Sequence, residues 1–240
     1  MKYYVYVSDA KIEMLCSQIP RSIREQIAAE LKIDLKLISV SLKERKVTQE
    51  TRYSKAGLVA AYIEGHERLG TVDAPEGYIK DALPMRWGPY GGDNRLVYFG
   101  GGTKHTIVGL GGSAYNLLGH QRGASEPHAH STTSTIIAAI SRDLDADEVE
   151  HPLRSFHRGY RPEGTPQSAQ LSDAELEDRT ANETLIAVSL ATSQMKGPVQ
   201  RLEFLAKRLY EGHLVPNPWD SPRERAHVLL ASPIYVALLD

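Results

Sequence analysis

The chain has 240 residues, 41% of them apolar and 24% charged, with a formal net charge of −2. Such a composition supports a hydrophobic core and excludes an intrinsically disordered chain. The near-neutral charge removes the general electrostatic footing for extended nucleic-acid binding, and every apolar run falls short of the ~20 residues a membrane span needs.

The opening MKYYVYV is rich in Tyr and Val, predicts a strand over Lys2–Val7, and lacks the charged, apolar and small-residue pattern of a signal peptide. Together with a single cysteine, Cys16, this points to the cytoplasm. Ser8-Asp9 then cap a helix whose stripe is Ile12, Leu15, Cys16 and Ile19, ended by Pro20, with Cys16 expected as a buried thiol. A second helix is predicted over Arg21–Leu31, a strand over Ile33–Leu42, and a helix over Ser54–Leu69 stopped by Gly70.

Asp73–Gly77 reads as a turn, and Tyr78–Trp87 as a strand that Pro84 confines to an edge or bulge. After the turn residues Gly88–Asn94, Val97–Phe99 and Thr106–Leu110 form a hairpin across Gly100-Gly101-Gly102-Thr103-Lys104. The second of these strands is expected to break at Gly111-Gly112, with Ser113 capping a short helix, Ala114–Leu118. Tyr78–Leu110 is therefore an antiparallel meander.

Thr132–Leu144 is apolar and of either type, Asp143–Arg179 is a polar surface excursion, and Leu185–Ala191 is a strand or a helix end. Pro198 opens a predicted helix over Val199–Tyr210 with Leu202, Leu205, Ala206 and Leu209 on one face. His227–Leu239 is a terminal strand, apolar enough to lie inside a sheet beside Lys2–Val7. The whole is expected to be one α/β (α+β) domain, a single mixed sheet with the meander on one side and helices packed on it.

Two groups of residues point to chemistry. A strand ending in Gly111, Gly112 and Ser113 would turn several backbone N–H groups one way, an arrangement that favours an anion, with Lys104, His105 and Asp9 as further ligand-binding residues. The same glycines also serve tight turns, and Asp9 equally serves as a helix cap. His128 and His130, two apart, would share a face of a strand and could hold a metal. No phosphate-loop, Cys/His or nucleophile-elbow motif accompanies them.

The stretches YYVYVSDAKIEML, LPMRWGPY, VYFGG, VGLGGS, GPVQRLEFLAKRL and LLASPIYVAL resemble an uncharacterised actinobacterial family of unassigned activity. That resemblance implies a bacterial source and carries over no functional residue. The expected function is a cytoplasmic module that binds or senses a small anionic molecule such as a nucleotide. The alternatives are a metal-dependent hydrolase or phosphoesterase built on Asp9 or on the His128/His130 pair, and a scaffold that meets a protein partner through Asp143–Arg179.

Overall fold

A computed structural model describes residues 2–33, 49–90, 95–119, 135–140, 173–214 and 226–239. The strands are β1 (Tyr3–Val7), β2 (Leu69–Gly70), β3 (Tyr78–Tyr90), β4 (Leu96–Gly102), β5 (Thr106–Ser113), β6 (Gln200–His213) and β7 (His227–Leu238). The helices are α1 (Asp9–Gln18), α2 (Arg21–Glu30), α3 (Gln49–His66) and α4 (Asp173–Gln194), with a further helical stretch at 135–140.

The meander β3–β4–β5 forms as expected, but it is part of a closed surface. β6 pairs with β3 on one side and β7 on the other, and β7 pairs in parallel with β5. The five strands β3, β4, β5, β7 and β6 thus close into a barrel, which a flat sheet with a meander does not describe. Closure removes the free edges that an open sheet of these strands would expose.

The interior is apolar on alternate residues: Ile79, Leu83 and Met85 of β3, Val97 and Phe99 of β4, Val108 and Leu110 of β5, Leu202 and Phe204 of β6, and Leu229 of β7. Outside, α1, α2 and α3 cover β1, β6 and β7 through Ile12, Cys16, Ile27, Leu58 and Ile63 against Leu205, Ile234 and Tyr235. On another flank, α4 and 135–140 cover Tyr98, Val228 and Leu230 through Ile136, Ile140, Val188 and Ala191. Each large apolar side chain buried this way contributes roughly 1.5–3 kcal/mol. Cys16 belongs to the first of these outer layers, and burial pushes its thiol up.

Several expectations need correction. The segment Val199–Tyr210 is strand, not helix: Leu202, Phe204 and Ala206 enter the barrel while Leu205 packs against the helices. A strand buried on both faces yields an apolar run that also satisfies helical spacing. β3 is no edge strand, since it has β6 along Tyr78–Met85 and β4 along Met85–Tyr90. Pro84 falls beside that change of partner, where its missing N–H costs no rung to β4. Gly88, Pro89 and Tyr90 continue the strand instead of turning, and Gly70 lies in β2 instead of closing α3.

β7 does run beside β1, antiparallel from Tyr3 opposite Leu238 to Val7 opposite Tyr235. β1, however, ends the strand order, its other edge touched by Leu117 and by the Leu118 N–H donating to Val5 O. Ser232-Pro233 marks the point where β7 exchanges β5 for β1, and Lys11 of α1 donates to Pro233 O at 3.0 Å there. Leu185–Ala191 is the end of a helix, and α4 takes in 173–179 of the expected surface excursion. The rest of that excursion, most of Ile33–Leu42, and the loop holding His128 and His130 lie outside the described residues.

Candidate functional site

One end of the barrel opens into a cleft of about 850 Å³. Its lining comes from the β2–β3 turn (Asp73, Glu76), the β4–β5 turn (Thr103–Ile107), the end of β6 (Glu211, His213) and the start of β7 (Ala226, His227). Four segments distant in sequence meet here because barrel closure brings these strand ends to one rim.

The β4–β5 turn is held by its own polar groups. Thr103 N–H donates to Thr106 O at 2.9 Å, and Thr103 Oγ1 accepts from the N–H groups of His105 and Thr106 at 3.1 and 3.0 Å. The hydroxyls of Thr103 and Thr106 both donate to Asp73 Oδ1, at 2.6 and 2.9 Å. These bonds, Thr103 foremost, hold the Asp73 carboxyl below its ordinary value. Lys104 and His105 stand exposed on the tip of the turn so braced.

With its one proton given to Asp73, Thr106 Oγ1 can only accept from His227 Nδ1, 3.3 Å away. The neutral His227 ring therefore carries its lone pair on Nε2, a tautomer assigned from the network. That Nε2 lies 3.7 Å from Glu211 Oε2, a buried oxygen without a hydrogen-bond partner among the described residues, while Arg208 engages the other Glu211 oxygen. The His213 ring is 4.9 Å from that of His227, its register partner in the β6–β7 ladder. Burial first, then His213, hold His227 below its ordinary value, against the opposing pull of Glu211 and Asp73. His227 is thus a neutral base at neutral pH.

Of the residues singled out by sequence, Lys104 and His105 reach this cleft; Gly111, Gly112, Ser113 and Asp9 are not in its lining. β5 runs unbroken through Ser113, with Gly111 opposite Tyr98 and Gly112 opposite Val97. The expected open cradle is a buried ladder. A Cβ at Gly111 would come within 2.6 Å of Ile136, and one at Gly112 within 2.4 Å of Tyr6 Oη, so close packing alone accounts for both glycines. The helix expected over Ala114–Leu118 is a single 3₁₀ turn, Ala114–Asn116, which the Ser113 side chain does not cap.

Asp9 lies at the head of α1, ion-paired at 2.5 Å with the buried Arg52 of α3, whose guanidinium also donates to Val7 O. That is a tie between α1, α3 and β1. His128 and His130 fall outside the described residues, among which no cluster of three or more His, Cys, Asp or Glu is placed to hold a metal ion. Among the described residues no helix is long and apolar enough to cross a membrane.

Sequence reasoning missed Asp73, Glu76, Glu211, His213 and His227. Asp73 and Glu76 read as turn residues, and the histidines stand at the two ends of a proline-containing connection with no local motif. One signal was available: polar, titratable residues at a strand end beside a loop are the ones a barrel rim exposes.

Fold and site together define a helix-flanked β-barrel with a polar, histidine-bearing cleft at one end. The chain belongs to a family of unknown function, DUF7019, whose model matches residues 2–240. No curated protein and no solved structure matches it.

Proposed function

We propose that the protein is a cytoplasmic module that binds a small anionic molecule in the barrel-end cleft. The observation that carries this reading is the exposed Lys104–His105 pair on a turn braced by Asp73, Thr103 and Thr106, at a cleft of about 850 Å³. An ammonium and an imidazole on a fixed turn offer charge-assisted hydrogen bonds at little ordering cost. The carboxylates of Asp73, Glu76 and Glu211 share that lining and disfavour a highly charged ligand such as a nucleoside triphosphate. A phosphorylated metabolite or a nucleoside monophosphate suits the site better.

A thermal-shift series with sulfate, inorganic phosphate and nucleoside monophosphates tests this. Ligand at about a hundred times its dissociation constant should stabilise the wild type by about 2.7 kcal/mol. Lys104→Ala and His105→Ala should each lose most of that stabilisation while melting normally without ligand. No shift of the wild type by any of these anions at millimolar concentration would contradict the reading.

A further inference from the structure

At neutral pH the cleft is a poor host for an anion by charge alone. Among the described residues its lining carries Asp73, Glu76 and Glu211 against one lysine, Lys104, and Arg208 engages Glu211. A proton taken up by His227 moves the charge of this lining towards one that suits an anion.

We infer that an anion enters this cleft together with a proton, which the His213–His227 pair takes up. The inference rests on the anion-binding reading of the same cleft and adds its regulation. The geometry around the pair supports it. Facing His227 are Asp73, through Thr106; Glu211 and His213 from β6; and Lys104 and His105 from the β4–β5 turn, whose His105 carbonyl accepts from the His227 N–H at 3.3 Å.

With Nδ1–H committed to Thr106, the next proton goes to Nε2. It supplies a donor to the buried Glu211 Oε2, 3.7 Å away, which has none among the described residues. The cost of that proton is burial first and then repulsion from His213, with ring centroids 4.9 Å apart. A bound anion lowers that repulsion, so anion and proton each favour the other, and the coupling is reciprocal. Because burial and His213 keep His227 neutral in the free protein, a proton remains to be taken up near neutral pH.

The test is calorimetric titration of the full-length protein with sodium sulfate, whose charge stays fixed across the range, at constant ionic strength. Titrations at about pH 7.5 and about pH 6 in buffers of different ionisation enthalpy read both the affinity and the protons exchanged. The affinity should rise up to about tenfold per pH unit for each proton taken up, with net proton uptake in every buffer. His227→Gln, and separately the exposed His213→Gln, should flatten that dependence, with folding checked by thermal melting. Sulfate binding of equal affinity at both pH values, or coupling that survives in both variants, overturns the inference and leaves the anion site standing. No sulfate binding at either pH overturns the inference, and the same failure with inorganic phosphate and nucleoside monophosphates overturns the anion site itself.

Discussion

The two ends of β5 contrast sharply. At the Gly111–Ser113 end, glycines that look like a ligand cradle are buried in a ladder and make room for Ile136 and Tyr6. At the Thr106 end, a turn of ordinary appearance carries Lys104 and His105 into a cleft shared with Asp73, Glu211, His213 and His227. A cluster of glycines reports that backbone is approached closely, and both a ligand and a neighbouring side chain can do the approaching. What separates the two cases is where the strand end falls: one lies among packed aromatic and apolar side chains, the other on an open rim.

The largest expected effect tests the barrel that creates both ends. Phe204 is fully buried inside it, on the segment that helical spacing misassigned. Phe204→Ala should cost about 3–5 kcal/mol in chemical denaturation, whereas Lys207→Ala, exposed on the same strand with its ammonium over the Tyr78 ring, should stay within about 1 kcal/mol. Equal, small losses would mean that β6 does not line the interior.

Next comes the packed end of β5. A side chain at Gly112 collides with Tyr6, which is itself fully buried, so Gly112→Val should lose about 2–3 kcal/mol by overpacking. Any anion affinity should survive in the folded fraction. Lost affinity at unchanged stability would return the glycines to a ligand-binding role.

A smaller effect belongs to the tie between α1 and the break in β7. Burial pushes the Lys11 ammonium down to about 8 from an ordinary 10.5. The folded value lies below the unfolded one, so the unfolded chain holds the proton more firmly across that window. Stability from this group therefore rises as pH climbs from about 8 towards 10.5. The gain is on the order of 2 kcal/mol. Lys11→Met should remove that rise relative to the wild type in pH-dependent urea melts; an unchanged slope would assign it to other groups. Smallest of all, Lys104→Ala should move unliganded stability by no more than about 0.5 kcal/mol, as an exposed residue on a turn held by others.

Much of the fold is legible locally. The Ile12, Cys16 and Ile19 stripe, the Pro20 break and the β3–β5 meander follow from periodicity and turn residues within short windows. Closure is not legible, because β6 meets Tyr78–Met85 from more than a hundred residues away and leaves no local trace. The Leu202–Ala206 run reads as a helix face because both faces of that strand are buried. The site follows the same division: Lys104 and His105 stand out beside a glycine-rich turn, whereas Asp73, Glu211, His213 and His227 become a group only through barrel pairing.

The most direct measurement is a sulfate titration of the ¹⁵N-labelled protein at mildly acidic pH, followed by amide chemical shifts along β5 and its neighbours. Binding at the barrel-end cleft predicts that the shifted amides cluster at Thr103–Ile107, Glu211–His213 and Ala226–His227 while Gly111, Gly112 and Ser113 stay still. Shifts centred on Gly111–Ser113 or the head of α1, with the cleft unmoved, would contradict it.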